Sequence, residues 1–121
     1  MQSETIIKIA ANALNDKKAR ELKAIKVGDL TVIADYFLFA TASSSTHVRA
    51  LADEVEEKLS EAGIEPHHIE GRTSGWILLD YGDVVVHVFN KENREFYSLD
   101  HMWSDGEQID LSNILTSAQE E

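Results

Sequence analysis

Two aspartates beside a tight turn are the first residues of this 121-residue chain that could do chemistry. Asp80 and Asp83 lie in "WILLDYGDVVVHVF", residues 76–89, and paired carboxylates on neighbouring strands can hold a hard cation for nucleotide transfer. No lysine or arginine sits beside them to hold a triphosphate. The two carboxylates are therefore compatible with a nucleotide-handling activity, but they are not evidence for one.

A run of serines ahead of a histidine is the second candidate for chemistry. The serines at 43–45, with His47 or His87 and an aspartate, supply the residue types of a Ser-His-acid arrangement. The sequence has no G-x-S-x-G elbow, and hydroxyls directly before a helix are favoured as caps. We therefore interpret these serines as helix caps and predict no catalytic residues.

The histidines and glycines predict neither a metal site nor a cofactor site. His67 and His68 are adjacent, so on a strand their side chains would point to opposite faces, and no H-x-x-x-H pair or cysteine adds a ligand. The six glycines form no G-x-G-x-x-G and no G-K-[ST] motif, so no phosphate-binding loop is predicted.

Charge narrows the class of partner. The chain has 22 acidic and 11 basic residues, a net charge of −11. Such a surface repels phosphates, which argues against binding to naked nucleic acid and favours a basic protein surface. The alternative is that the acidic charge only keeps a small protein in solution.

Because we find no basic N-terminal region and no apolar run of about 20 residues, we expect a cytoplasmic protein without a membrane partner.

Apolar periodicity predicts the elements that must position these residues. A first amphipathic helix is expected over residues 3–18 with Ser3 as its N-cap, and a second helix follows the serines and ends at Gly63. Strands are predicted at 22–27, at 34–42 and in "HHIEG", all before the hairpin. The predicted fold class is α/β, a mixed β-sheet flanked by helices.

The chain is long enough for one domain and too short for two of ordinary size. We assign that domain to residues 1–105. Residues 106–121 form an acidic C-terminal tail, which can dock through an apolar cluster that includes Ile109 and Leu111 and to which we assign no role.

Residues 76–89 can be resolved by face. If Gly82 and Asp83 are the central residues of a two-residue turn, Trp76 pairs with Phe89 and Leu78 with His87. One face is then wholly apolar and must be core: Ile77, Leu79, Tyr81, Val84, Val86 and Val88. The opposite face is mixed: Trp76, Leu78, Asp80, Val85, His87 and Phe89.

The mixed face admits two interpretations. Aromatic, apolar and charged side chains on a rigid strand pair are typical of the centre of a protein interface, so this face is predicted to meet another molecule. Alternatively, a helix of the same chain covers it, with Asp80 and His87 satisfied at its edge. A shift of the turn by one residue would change both assignments.

Four segments of the chain carry a family resemblance. "ADYFLFATASSSTHVRALADEVEEKL", "IEG", "GWILLDYGDVVVHVF" and "REFYSLDHMW" together resemble the ribosomal silencing factor RsfS family, also called the Iojap family. The resemblance covers roughly residues 5 to 105. The positions characteristic of the family are Asp35, Tyr36, Trp76, Asp80, Gly82, Asp83, His87, Tyr97, Leu99 and Trp103.

The resemblance implies a fold and a function. The expected fold is nucleotidyltransferase-like, and the protein is expected not to be an enzyme. By this resemblance it is expected to bind the large ribosomal subunit through ribosomal protein fourteen and to block joining of the small subunit sterically, which would repress translation. The residues expected to bind this partner are Trp76, Leu78, Asp80, His87, Phe89 and Tyr97. Asp35 is expected to be a cap or turn acid, and Trp103 a packing residue.

Two further hypotheses stay open at this stage. One is a nucleotide-handling enzyme built on Asp80 and Asp83, although Ala42 stands where the family commonly has glycine, which weakens the idea of a loop that cradles a phosphate. The other is a homodimer formed through the mixed face when the ribosome is absent, because exposed apolar patches favour self-association.

Overall fold

The computed structural model describes residues 2–28, 34–71, 75–92, 106–109 and 111. They form two helices, α1 (Gln2–Asp16) and α2 (Ser45–Glu61). They also form six strands: β1 (Arg20–Lys26), β2 (Tyr36–Ala42), β3 (His68–Glu70), β4 (Trp76–Asp80), β5 (Val84–Asn90) and β6 (Glu107–Ile109). None of the described helices is long and apolar enough to cross a membrane.

The strands form one mixed sheet in the order β3-β4-β5-β2-β1-β6. Strands β2 and β5 run parallel at its centre, and every other neighbouring pair is antiparallel. Both helices pack on one face of the sheet, because their apolar stripes and alternate strand residues share one buried cluster. The predicted α/β class is confirmed.

Helix α1 begins earlier than its sequence predicts. It starts at Gln2, so Ser3 lies inside the first turn, and its predicted role as N-cap is wrong. The predicted apolar stripe does face the core, and Ile6, Ala10 and Leu14 are buried. The helical spacing of these residues was the stronger signal, since capping preferences locate a helix end only to within a residue or two.

Helix α2 follows the sequence prediction closely. The Ser44 hydroxyl accepts the backbone N–H of His47 at 3.1 Å, which caps the helix as the serine run predicts. Val48, Leu51 and Leu59 are among the buried residues of the predicted stripe. Ala62 is the exposed C-cap, and Gly63, where the sequence predicts the helix end, follows it with φ of +82°.

A short strand comes from the segment assigned to the tail. Residues 107–109 of β6 pair with β1, with Ile109 opposite Ala24. Leu111 is 9% exposed and belongs to the helix-side core. The remaining tail residues of that predicted apolar cluster lie outside the described residues, as do Leu99 and Trp103.

The sheet has a second buried layer on the face away from the helices. Its residues come from β1, β2 and β5 and from the segments beside them: Ile25, Val27, Ala34, Phe37, Phe39, Val85 and Phe89. Trp76 and Leu78 pack against this cluster and remain partly exposed. The sheet is therefore apolar on both faces, which is the pattern expected for a strand pair buried from both sides.

Candidate functional site

The β4–β5 hairpin has the register that its sequence predicts. Trp76 lies opposite Phe89, Leu78 opposite His87, and Asp80 opposite Val85. The N–H of Tyr81 donates to the carbonyl of Val84 at 2.9 Å and closes a two-residue turn. Gly82 has φ of +86° while Asp83 has no positive φ, which corresponds to a type II′ turn.

The two aspartates of the hairpin serve the turn itself. Oδ1 of Asp80 accepts the N–H of Gly82 at 2.8 Å, and the carbonyl of Asp83 accepts the N–H groups of Asp35 and Tyr36 at 2.8 and 3.0 Å. The backbone contact of Asp35 joins the hairpin to the start of β2. Across the described part of the chain no group of three His, Cys, Asp or Glu residues is placed to hold a metal ion.

The mixed face of the hairpin divides into a partly exposed half and a buried half. Trp76, Leu78 and Asp80 on β4 are partly exposed, whereas their neighbours Ile77 and Leu79 are buried in the helix-side core. These three residues of β4 form what we call the β4 patch. They are the sequence-predicted binding residues that the structure leaves open to a partner.

The β5 half of the same face needs a correction. His87 is 5% exposed and Phe89 is 0% exposed, so neither presents surface to a partner in this conformation. The parallel pairing of β5 with β2 places Phe39 beside His87 and packs their rings face to face, with centroids 5.1 Å apart. None of the described helices covers this face, since α1 and α2 both pack on the opposite side of the sheet.

The buried half holds Trp76 in place. The indole N–H of Trp76 donates to Nδ1 of His87 at 3.3 Å, and the indole packs on Phe89 with ring centroids 5.5 Å apart. The His87 ring is in turn packed edge-on against Phe37 at 5.1 Å. Trp76 is therefore fixed from beneath by a hydrogen bond and by ring contacts, which lowers the entropy lost when it binds a partner.

A small hollow lies beside the β4 patch. It has a volume of about 190 Å³ and is lined by Glu70, Gly71, Trp76 and Leu78. Glu70 is opposite Leu78 across β3 and β4, and its exposed carboxylate is bonded to Nε2 of His68. An apolar floor with a carboxylate at its rim suits an apolar side chain that is followed by a cation.

The serine and histidine at the start of α2 form a contact without a catalytic acid. Oγ of Ser43 lies 3.1 Å from Nδ1 of His47, but that nitrogen also accepts the N–H of Ser43 at 2.8 Å. The other ring nitrogen, Nε2, lies 2.7 Å from the carbonyl of Lys17 and donates to it. The ring is thereby used to tie α2 to the end of α1, which agrees with the structural interpretation of this run.

Comparison with known proteins identifies the family. A family model described as "Ribosomal silencing factor during starvation" matches residues 1–121. The chain belongs to this family. The Ribosomal silencing factor RsfS of Halalkalibacterium halodurans is 37% identical over 117 residues, which cover 96% of this chain and 100% of that relative. The Ribosomal silencing factor RsfS of Bacillus subtilis is 40% identical over 112 residues, covering 92% and 95% of the two chains.

A solved structure has the same fold as this chain. A crystallised protein of Chromobacterium violaceum superposes with a TM-score of 0.83 at 37% identity, over 86% of this chain and 88% of the other. The resemblance drawn from the sequence motifs is therefore confirmed. Of the predicted binding residues, Trp76, Leu78 and Asp80 form the β4 patch, His87 and Phe89 lie beneath it, and Tyr97 falls outside the described residues.

Proposed function

We propose that this protein represses translation by binding the large ribosomal subunit through its ribosomal protein fourteen, on the face where the small subunit joins. A protein fixed on that face would exclude the small subunit by its volume alone, so the mechanism needs no catalytic group. Membership of the ribosomal silencing factor family supports a role at the ribosome. The observation that carries the proposal is the β4 patch, an exposed part of an aromatic cluster that is otherwise buried.

The β4 patch has the chemistry of an interface centre. Trp76 and Leu78 supply apolar area beside the hollow, and Trp76 is already held in one orientation. Tryptophan in a well-packed setting is the commonest type of binding hot spot. We therefore assign Trp76 as the anchor of the complex and His87 and Phe89 as the residues that hold it.

Charge around the β4 patch fits a basic partner. Glu70 on β3 lies directly across from Leu78, Asp80 lies two residues further along β4, and the whole chain carries a net charge of −11. Complementary charge raises the rate of encounter and fixes the orientation of the two surfaces. A lysine or arginine of the ribosomal protein is expected to pair with Asp80.

Co-sedimentation with separated ribosomal subunits tests the proposal. Wild-type protein is expected to pellet with large subunits only and to inhibit joining of small subunits in the same samples. Trp76→Ala should weaken binding about thirtyfold, which corresponds to about 2 kcal/mol for a hot-spot residue. Ile9→Ala is the control, because Ile9 is a partly buried apolar residue on α1, away from the β4 patch.

Three results would contradict the proposal in different ways. If wild-type protein fails to bind large subunits, the role at the ribosome is wrong. If it binds but joining proceeds normally, the blocking mechanism is wrong. If Trp76→Ala binds as tightly as wild type and Ile9→Ala, the β4 patch is not the contact surface.

The same patch supports a proposal about the free protein. Without the ribosome, two copies are expected to associate through Trp76 and Leu78, since apolar surface left open to water favours contact. Sedimentation velocity over a concentration series should show a dimer that Trp76→Ala removes. A monomer at every concentration would contradict this part of the proposal.

A further inference from the structure

A second cavity lies at the other end of the central strands from the hairpin turn. Strands β2 and β5 run parallel and finish side by side, with Ala42 paired to Asn90. In open α/β sheets, ligands commonly bind just outside the carboxyl ends of the parallel strands, where the connections diverge. A cavity of about 300 Å³ occurs here, lined by Arg20, Glu21, Thr41, Ala42, Ser43 and Lys91.

Two cations at this cavity lack carboxylate partners. Arg20 and Lys91 are exposed, and neither forms an ion pair with a residue that the structure describes. Lys58 on α2, by contrast, lies within 4.0 Å of two glutamates. In a chain with 22 acidic and only 11 basic residues, two such cations on one cavity indicate a place for an external anion.

The other polar groups leave these cations available. The carboxylate among the described lining residues, that of Glu21, accepts the hydroxyl of Thr41 at 3.1 Å. Ser43 also lines the cavity, and its hydroxyl lies 3.1 Å from Nδ1 of His47. A guanidinium fork and an ammonium group together match the oxygens of a phosphate group.

We propose that this cavity binds the phosphate group of a small phosphomonoester through Arg20 and Lys91. Its volume is at the lower end of the range of about 300–1,000 Å³ for small-molecule sites, so a phosphate with a sugar-sized body fits. The net charge of −11 opposes a polyanion such as RNA far more than it opposes one small dianion. This site shares no lining residue with the hollow beside the β4 patch.

Amide NMR titration of the full chain tests the proposal. The probes are inorganic phosphate, glucose 6-phosphate and adenosine 5′-monophosphate, each added at constant ionic strength and pH 7 against sodium chloride. Saturable shifts are expected at the amides of Ser43 and Lys91, with at least one monoester binding more tightly than inorganic phosphate. Arg20→Gln/Lys91→Gln should weaken binding at least tenfold.

A charge-matched variant separates a site from general attraction. Lys8→Gln/Lys26→Gln removes the same charge from two exposed lysines that do not line the cavity, and it should bind like wild type. If the double variant unfolds, the single variants Arg20→Gln and Lys91→Gln replace it in the titration, and each is expected to weaken binding about threefold. Shifts that never saturate, or equal weakening in both double variants, would overturn the proposal. So would equal affinity for inorganic phosphate and both monoesters, or tighter binding of a short RNA.

Discussion

Trp76 donates its indole N–H to Nδ1 of His87 at 3.3 Å, although the two residues are diagonal neighbours and not direct cross-strand partners. The direct partner of Trp76 is Phe89, on which the indole packs. One surface tryptophan is thus held by two buried aromatic side chains. The orientation of the exposed residue is set by the core on the face away from the helices.

Replacing His87 by phenylalanine tests this relationship. The variant keeps an aromatic ring beside Phe39 but removes the acceptor of the Trp76 N–H, so we expect unfolding free energy to fall by about 1–2 kcal/mol. Denaturant titration measures the loss. Trp76→Phe has no N–H to satisfy. The double variant should therefore lose at least about 0.5 kcal/mol less unfolding free energy than the sum of the two single losses. Fully additive losses in the double variant would show that the hydrogen bond contributes nothing.

Asp80 has two separable roles, one in the turn and one in charge. Asp80→Asn keeps an oxygen that can accept the N–H of Gly82, so its stability should stay close to wild type while its association with the ribosomal partner slows. Asp80→Ala removes the acceptor as well and should also cost about 1 kcal/mol of stability. Association kinetics at two salt concentrations and thermal melts distinguish the roles. Equal association rates for wild type and Asp80→Asn would show that the charge of Asp80 does not contribute to association.

Gly82 and Gly63 offer a matched pair of positive-φ glycines. An alanine at Gly63, with φ of +82° and open space around it, should cost about 1 kcal/mol. An alanine at Gly82 should cost about 2 kcal/mol, because the first central position of a type II′ turn is more restrictive and the new Cβ would lie 3.0 Å from Cε1 of His67. Chemical denaturation of both variants gives the comparison. A cost at Gly82 no larger than at Gly63 would contradict the assigned turn.

Tyr81 carries a buried hydroxyl that has no hydrogen-bond partner in the part of the chain described. Tyr81→Phe should therefore raise the unfolding free energy by about 1 kcal/mol at neutral pH, since an unsatisfied polar group is removed from the core. Differential scanning calorimetry measures the change. A lower melting temperature for Tyr81→Phe would mean that the hydroxyl is satisfied in solution.

The same tyrosine predicts how stability responds to alkali. Burial, with smaller contributions from the charges of Glu56 and Glu65, raises the pKa of Tyr81 above its ordinary value of about 10. The folded state then holds a proton that the unfolded state releases, so this contribution is complete below about pH 10 and is lost as the pH rises further. The advantage of Tyr81→Phe over wild type should widen above pH 10. A constant difference between pH 8 and pH 11 would contradict the raised pKa.

Much of the hairpin could be predicted from sequence because its information is local. Alternating residues and one glycine fix the register, so the core face and the pair Trp76 and Phe89 follow from counting. Helix α2 is equally local, since Ser44 and Gly63 mark its ends. These features depend on near neighbours in the chain.

The burial of His87 and Phe89 could not be predicted in this way. The ring of Phe39 reaches His87 only because β2 lies parallel to β5, and the two strands are far apart in the chain. Nothing in the alternation of β5 distinguishes a face buried within the fold from one that meets a partner. Strand β6 could not be predicted either, because three residues that pair at the edge of a sheet carry almost no periodic signal.

The parallel pairing of β2 with β5 also governs the order in which the protein can fold. Helix α2 and strands β3 and β4 separate the two in sequence, so their contact closes a long segment at a large entropic cost, whereas a hairpin like β4–β5 forms within about 10 μs. We therefore expect docking of that hairpin onto β2 to be the slow step. Until it happens, one edge of β2 is unpaired and Phe37 and Phe39 lack their β5 neighbours, so we expect the nascent molecule to be most prone to aggregate there.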